Sequence, residues 1–362
     1  MRKQFNQNKI IVLLGAGASC DAGILNSFQI IREIENKLDK EWLEFKDLYN
    51  YIQSSHVHLE RIKGVALNDI IFNIENLVSL LDTIGKISSK KLDVYPFVGS
   101  WEKDLLSVTG EKFSLASKFK KAILSELKNN WLSPADFYST SSYYKKLKET
   151  GYTFALKIFS LNYDMCVELN LNSDVRLERG FNDQKIWDYR QYDIYSEAAK
   201  DFYLYKLHGS LDWIRDDEKR LTYVDLVQRT DEQKMEIIFG VQNKLQSYDP
   251  YLFYFYAFRE ASFDAELIVT SGYGFMDSHI NDNLINAFKI DPNKKILVNV
   301  FEKDDADGSK TREFVAKKLD IQLEQVEVVC CPAKQFFENN LNIDFFASLF
   351  PDSEDVDEVL PQ

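Results

Sequence analysis

Residues 9–19 read KIIVLLGAGAS, an apolar run that ends in a turn of small residues. The apolar part is too short for a buried helix and is typical of a strand buried on both faces. Apolar residues at helical spacing follow at residues 22–38, so the turn is predicted to lead into a helix. A doubly wound sheet receives a pyrophosphate at such a turn, through exposed N–H groups and the helix dipole. Because Cys20 replaces the third glycine of the usual dinucleotide fingerprint, the stretch alone leaves a nucleotide site and a merely tight turn equally open.

The composition is that of an ordinary globular protein with an acidic balance. The 362 residues leave room for two domains, or for one domain with a large insertion. A net charge of −13 argues against a general nucleic-acid-binding role, because phosphate contacts need clustered Lys and Arg. The four cysteines contain no CxxC pair and favour buried, reduced thiols over a four-cysteine zinc site. The apolar run is too short for a signal peptide, and no later window is long enough to span a membrane, so we expect a cytoplasmic protein.

The rest of the chain predicts a parallel sheet that is interrupted by helices. Strand-like and helix-like segments alternate after residue 150, which favours an α/β fold with a doubly wound, Rossmann-like parallel sheet and a mostly helical insertion. The predicted units are a discontinuous nucleotide-binding domain at 1–38 and 151–350, the helical insertion at 39–150, and an acidic tail at 351–362. The later elements are predicted as strands at 154–161, 202–207, 236–239, 267–270, 295–300 and 325–329, and as helices at 250–263, 279–288, 311–318 and 333–349.

Polar clusters follow four of the predicted strands. They lie at residues 15–19, 162–164, 208–210 and 271–277. Open α/β sheets bind ligands outside the carboxyl ends of their strands, near the point where strand order reverses. If the four strands are parallel, the clusters therefore converge on one crevice.

Two side chains in these clusters are candidates for chemistry. His208 stands at a strand end before glycine and serine, and its imidazole suits a general base, although it can equally be a histidine hydrogen-bonded in place. Asn162 can donate and accept, so it can orient a water or a ribose hydroxyl, or simply serve as a turn residue. His279 lies between Asp277 and Asp282 as in some metal sites, but capping of a helix start by Asp277 is favoured.

Other familiar catalytic patterns do not fit this sequence. It contains neither the GxSxG elbow of serine hydrolases nor the GxxxxGK[ST] of a P-loop. Glu75, within a helical pattern of the insertion, is a further carboxylate for which a solvated or packing role is favoured over a site role.

With these residues assembled, the chain resembles the sirtuin-like family, in its divergent branch from bacterial anti-phage defence systems. The similar segments occur in the family's order, and the insertion carries none of them. They are GAGAS at 15–19, similar to the nucleotide loop; SLNYD at 160–164, similar to T-x-N-[YI]-D; KLHGS at 206–210, similar to K-x-H-G; and GYGFMDSHI at 272–280, similar to G-Y-S-F-x-D-x-H-I.

The resemblance implies a role for each matching residue. Asn162 and His208 would be catalytic, with His208 as the base, and Asp164 would line the nicotinamide-ribose pocket beside Asn162. NAD contacts are implied at Gly15, Ala16, Gly17 and Ser19, at Ser271 and Gly272 near the phosphate and ribose, and at Asn299 near the adenosine ribose.

Departures from the family's pattern narrow the implied activity. Family deacylases carry a four-cysteine zinc module and a G-I-P-D-F-R run after the nucleotide loop, whereas residues 23–28 here read GILNSF. No metal is therefore expected, and the resemblance favours an NAD+ glycohydrolase that forms nicotinamide and ADP-ribose. In this branch such an enzyme is an antiviral effector that depletes NAD+ and causes abortive infection.

Two other functions remain open at this point. The chain can be an NAD-dependent protein deacylase, or a non-catalytic sensor of NAD or ADP-ribose that regulates a partner. A toxic hydrolase needs restraint, so the resemblance also implies a homo-oligomer and, by family analogy, a HerA-type ATPase or another phage-sensing partner.

Overall fold

The structure of the protein is a computed structural model. It describes residues 6, 9–88, 100–110, 113–149, 155–171, 176–193, 201–224, 235–237, 249–302 and 304–350. The acidic tail predicted at 351–362 lies outside the described residues.

Two β-sheets occur in the described part of the chain. The strands are β1 (Ile10–Leu14), β2 (Leu156–Ser160), β3 (Leu177–Glu178), β4 (Phe202–Lys206), β5 (Gly209–Arg215), β6 (Leu221–Tyr223), β7 (Met235–Ile237), β8 (Leu267–Ser271), β9 (Lys295–Val300) and β10 (Val326–Cys330). Seven of them form the main sheet in the order β10-β9-β8-β1-β2-β4-β3, and every neighbouring pair is parallel. The others form a small antiparallel sheet in the order β6-β5-β7.

Strand β1 lies at the centre of the main sheet and is buried on both faces. Each of its residues is 3% exposed or less. Because side chains alternate along a strand, Ile10, Val12 and Leu14 pack into the core on one face, and Ile11 and Leu13 pack into the core on the other. This arrangement confirms the predicted α/β fold with a doubly wound parallel sheet.

Helices contribute buried residues to the cores on both faces of the main sheet. They are α1 (Ser27–Leu38), α2 (Lys46–Ile62), α3 (Ile74–Ser88), α4 (Ser100–Thr109), α5 (Ser114–Glu126), α6 (Phe137–Thr140), α7 (Lys146–Glu149), α8 (Cys166–Leu171), α9 (Tyr251–Asp264), α10 (Ser278–Ile290), α11 (Ser309–Leu319), α12 (Ala333–Asn339) and α13 (Ile343–Ser348). None of these described helices combines the length and the apolar character that crossing a membrane requires.

The described residues between 39 and 149 are mainly helical and share a core with the sheet. Phe119 and Trp131 belong to the same buried cluster as Val12 of β1 and Ile34 of α1. The helical segment therefore packs directly on one face of the sheet. Its boundaries as a separate insertion stay a prediction.

Two predicted helices differ from the structure. The chain after β1 forms a 3-10 helix, Ala16–Ala22, and α1 begins only at Ser27, because the Asn26 side chain accepts hydrogen bonds from the first turn of that helix. The helix predicted at 333–349 is two helices, α12 and α13, because Asn342 caps the start of the second one through the Phe345 N–H.

The strand predicted at 236–239 is β7, and it lies outside the parallel sheet. It pairs antiparallel with β5, which the sequence patterns do not predict, and neither do they predict β3 or β6. Strand β5 carries the buried polar residues Ser210 and Asp212, so it lacks the continuous apolar run by which the other strands are recognised.

Candidate functional site

A cavity of about 490 Å³ opens at the carboxyl edge of the main sheet. The chain runs from β1 through β2 to β4 on one side, and then returns to β8, β9 and β10 on the other side of β1. Strand order thus reverses between β1 and β8, which is where open α/β sheets bind ligands. The volume lies within the range of about 300–1,000 Å³ that is typical of ligand pockets.

The structure brings eight of the ten predicted site residues to this cavity. Ser19 and Ser271 do not line it; both are buried behind it, and each hydrogen-bonds to a residue that does. The lining residues are Gly15, Ala16, Gly17, Asn162, Asp164, His208, Gly272 and Asn299. All four predicted polar clusters therefore contribute to one cavity.

The glycine turn presents fewer N–H groups to the cavity than the sequence predicts. The N–H of Gly15 donates to Ser271 O at 2.9 Å, that of Gly17 donates to Gly272 O at 3.0 Å, and that of Ala18 donates to Gly15 O. Among the described residues, none accepts a hydrogen bond from the N–H of Ala16. A phosphate at this turn would therefore meet Ala16 N–H, and the first residues of α1, Ser27 and Phe28 among them, line the same cavity.

The glycines of the turn allow two loops of the chain to pack closely against each other. A Cβ on Gly15 would lie 2.5 Å from Gly272 O, and a Cβ on Gly17 would lie 2.7 Å from Gly272 Cα. Gly272 has a positive φ of 62°, and its Cβ would lie 1.9 Å from Ala18 N. The glycines thus allow the backbone of the loop after β8 to approach this turn closely.

Ser19 organises a buried hydrogen-bond network behind the cavity. Its Oγ donates to Asp164 Oδ2 at 2.8 Å and accepts from Asn162 Nδ2 at 3.2 Å. Because its single proton is committed to Asp164, the Tyr144 hydroxyl, 2.9 Å away, donates to Ser19. Asp164 uses Oδ1 to accept from Cys166 N at the start of α8.

This network leaves one atom of Asn162, its Oδ1, without a partner among the described residues. Both hydrogens of its amide are bound, to Gly15 O at 2.9 Å and to Ser19 Oγ. Asn162 is 7% exposed, and its Oδ1 has no hydrogen-bond partner among the described residues. A buried acceptor without a partner is costly, so Oδ1 is suited to accept from a bound water or a ligand hydroxyl.

Two tyrosines of the helical segment support the nucleotide loop, and sequence reasoning missed both. Tyr143 donates its hydroxyl hydrogen to Ala18 O, and Tyr144 contacts Ser19 as described. Burial raises the pKa of both tyrosines, so the hydroxyls remain protonated donors at neutral pH. Contacts between residues so far apart in the chain leave no periodic signal in the sequence.

Asn299 joins three strand ends at the opposite side of the cavity. Its Oδ1 accepts from Ser271 Oγ at 2.8 Å, and its Nδ2 donates to Val329 O and Cys331 O. Both amide hydrogens are thus bound to the protein. The side chain predicted to contact the adenosine ribose keeps only an oxygen lone pair for a ligand.

His208 follows β4 and is paired with an acidic residue that motif reasoning had assigned only to helix capping. Its Nε2 lies 3.1 Å from Asp277 Oδ2, and both side chains are buried. Asp277 also caps α10 by accepting from the N–H groups of His279 and Ile280, as the sequence predicts. Among the described residues, no group of three or more His, Cys, Asp or Glu side chains is arranged to hold a metal.

Among the described residues, the Asp, Glu, Lys and Arg side chains that line the cavity are all acidic. Glu75, Asp164, Asp277 and Glu302 line it, and none of the described lining residues is Lys or Arg. The pKa of Tyr163 is raised well above its usual value, first by burial and then by the Glu75 and Asp277 carboxylates. Burial likewise raises the pKa of the Cys20 thiol, which argues against a thiolate nucleophile here.

Glu75 reaches the cavity from the first turn of α3. Asn73 and Asn76 bond reciprocally across this turn, since each backbone N–H donates to the other residue's side-chain oxygen at 3.0 Å. The Asn-x-x-Asn spacing is a signal from which a helix start here could have been predicted, although it does not indicate that the helix faces the site.

A buried group of charges supports the turn that carries Asn162. Lys206 donates to Asp164 O, and its Nζ lies 3.5 Å from Glu168 Oε1. Arg179 lies 2.6 Å from Asp212 Oδ2, which links this group to the antiparallel sheet. Burial raises the pKa of Glu168, while the Lys206 and Arg179 charges oppose that rise.

Comparisons with known proteins include a distant structural likeness. No protein-family model matches the sequence, and no curated protein matches it. Among solved structures, the chain is similar to one titled a crystal structure of a Sir2 homolog–NAD complex, at 11% sequence identity and a TM-score of 0.40. The likeness covers 94% of this chain and 90% of that chain, and at this distance it identifies no site residue.

Proposed function

We propose that this chain is an NAD+ glycohydrolase, which cleaves the nicotinamide–ribose bond of NAD+ with water and forms nicotinamide and ADP-ribose. The observation that carries this proposal is the convergence of four distant motifs on one cavity. Those motifs resemble sirtuin-like segments, and Asn162, whose Oδ1 has no partner among the described residues, and His208 both line the cavity.

The residues at the cavity suit the two tasks of this reaction. As nicotinamide leaves, the ribose carbon becomes cation-like, and a water must attack it. Asn162 Oδ1 would accept a hydrogen bond from that water or from a ribose hydroxyl and so hold the reacting groups in place. His208 would take up the proton that the water loses when its oxygen bonds to the ribose carbon.

The charge of the cavity supports cleavage at this bond. The pyridinium ring and the developing ribose cation are both positive, and the charged residues around them, Glu75, Asp164 and Asp277 among them, are carboxylates. Fixed carboxylates stabilise positive charge most strongly in a partly dry site. The pyrophosphate would lie against the turn at residues 15–17, where the Ala16 N–H would receive it, since none of the described lining residues is Lys or Arg.

Product analysis with single variants tests the proposal. The full-length protein, incubated with NAD+ alone, is expected to release nicotinamide and ADP-ribose, and Asn162→Ala and His208→Ala are each expected to lower kcat by about 100-fold or more. His56→Ala is the control, because His56 bonds to Ile71 O outside the cavity. Undiminished turnover in both site variants would contradict the assignment.

The same assay separates the two other functions. Release of nicotinamide only when an acylated peptide is added would identify a deacylase instead. Binding of NAD+ without any release of nicotinamide would identify a sensor. Either result replaces the glycohydrolase proposal.

We further propose, from the motif resemblance, that the activity acts in the bacterial cytoplasm as an effector of anti-phage defence. It would be restrained by self-assembly or by a HerA-type ATPase partner. Cells that carry the protein with its partner are expected to lose NAD+ on phage infection, and cells that carry His208→Ala are not. Unchanged NAD+ in infected wild-type cells would contradict this role.

A further inference from the structure

Asp277 divides its two carboxylate oxygens between a helix and a histidine. Oδ1 accepts from His279 N at 3.1 Å and from Ile280 N at 3.4 Å, which caps α10. Oδ2 lies 3.1 Å from His208 Nε2. The helix cap fixes the direction of the whole carboxylate group, so Oδ2 is held toward His208.

Hydrogen bonds to the helix α10 hold the loop that carries Asp277 in place. Asn281, one turn into α10, donates from Nδ2 to Phe275 O at 2.8 Å and accepts from the Tyr273 hydroxyl at 2.8 Å. Phe275 has a positive φ of 55°, a conformation that side chains seldom adopt unless the surroundings impose it. The position of Asp277 relative to α10 is therefore set by several independent contacts.

We propose that Asp277 is the positioning residue of the site, which fixes His208 in the tautomer that carries its proton on Nε2 and leaves Nδ1 as the base. An ionised carboxylate can only accept, so the Nε2 atom facing Asp277 must donate. Among the described residues, none hydrogen-bonds to His208 Nδ1. This inference rests on the proposed function for its catalytic consequence, but the tautomer itself does not depend on the reaction.

Asp277→Asn provides a sharp test because it keeps the size of the side chain and the helix cap. Only the oxygen of the new amide can accept from His279 N and Ile280 N, so its nitrogen takes the place of Oδ2. That nitrogen donates to His208 Nε2, which forces the proton onto Nδ1 and removes the base. We expect kcat to fall by about 100-fold or more while KM changes little.

Asp277→Ser is the matched control. Serine is as good a cap as aspartate or asparagine, but its short side chain neither accepts from His208 nor donates to it. If Asp277 positions His208, Asp277→Asn is expected to lower kcat more than Asp277→Ser does. If Asp277 has only a structural role, Asp277→Ser is expected to lower kcat more, because asparagine preserves the volume of the side chain and serine does not.

Nitrogen-15 spectra of the histidine rings read the tautomer directly, since protonated and unprotonated ring nitrogens have well-separated shifts. The chain has only four histidines, so a His208→Gln spectrum assigns the signal. At a pH where the ring is neutral, we expect the proton on Nε2 in the wild type and on Nδ1 in Asp277→Asn.

The two proposals fail separately. A wild-type His208 that carries its proton on Nδ1, or an Asp277→Asn variant with unchanged kcat, overturns the positioning role. If the wild type does not cleave NAD+ but shows the expected tautomers in both proteins, the positioning stands and the glycohydrolase function fails.

Discussion

A single serine illustrates how the site is built at the scale of one residue. Ser19 was predicted to contact NAD, but its hydroxyl is fully buried and joins Asn162, Asp164 and Tyr144. The motif predicted that this serine matters, but a motif does not say which way a side chain points. Its role in the structure is to hold the Asn162 amide, and so to fix a side chain that lines the cavity.

Ser19→Ala is therefore expected to affect stability and turnover together. Loss of the hydrogen bond to the Asp164 carboxylate costs about 1.5–3 kcal/mol of unfolding free energy, and the freed Asn162 amide can rotate and lower kcat. Urea unfolding and NAD+ cleavage measure the two effects.

Ser139→Ala is the control, since Ser139 makes one exposed hydrogen bond to Asp136 O away from the cavity. A Ser19→Ala protein as stable and as active as this control would contradict the network's role.

At the scale of elements, the site depends on the packing of two loops against each other. The turn after β1 and the turn after β8 meet backbone to backbone through Gly15, Gly17 and Gly272. This contact fixes the distance between the strand ends on either side of the cavity. The glycines are thus required by the fold before any ligand binds.

Gly272→Ala is expected to be severely destabilising. The substitution places a side chain at positive φ and within 1.9 Å of Ala18 N, where backbone has to move. The strain at φ alone costs about 1–3 kcal/mol, and the clash adds to it. Urea unfolding of the purified variant, or its loss from the soluble fraction, measures the effect.

Gly274→Ala is the matched control two residues away. Among the atoms that the structure describes, its Cβ would meet only Met276 Cγ, at 3.7 Å, and its φ is not positive. If both variants unfold at the same urea concentration, the loop contact does not have the role assigned to it.

The sequence predicted elements well where burial leaves a clear pattern. Strand β1 was predicted from its apolar run, which reflects the burial of both of its faces. The helix cap at Asp277 was predicted because this residue stands immediately before the helix. The late start of α1 was missed because Ala16–Ala22 coils as a 3-10 helix, which apolar spacing does not distinguish from an α-helix. The pairing of His208 with Asp277 was missed because it joins distant segments.

At the scale of the whole molecule, the protein buries many neutral tyrosines in its two cores. Burial is the largest cause that raises the pKa of each of them above the usual value, in the helical segment as well as beside the sheet. They are Tyr143, Tyr144, Tyr163, Tyr192, Tyr205, Tyr254 and Tyr273.

These tyrosines predict a loss of stability in alkali. Below the unfolded-state pKa of about 10, both states keep the phenol proton and the stability is intact. As the pH rises above that value, the unfolded chain loses protons that the folded chain retains, so the unfolding free energy falls by about 1.4 kcal/mol per pH unit for each tyrosine.

Urea unfolding at a series of pH values, with phenolate absorbance recorded in parallel, measures this effect. The buried group should ionise only as the protein unfolds. Ionisation of all the tyrosines near their usual pKa, with no loss of stability, would contradict the burial described.

The central claim is that the cavity between β1 and β8 cleaves NAD+ with water. The most direct measurement is mass spectrometry of the products after the full-length protein is incubated with NAD+ in oxygen-18 water. We predict equal amounts of nicotinamide and ADP-ribose, with one oxygen-18 atom bonded to the ribose carbon that nicotinamide left. Intact NAD+ after prolonged incubation, or ADP-ribose without the label, would contradict it.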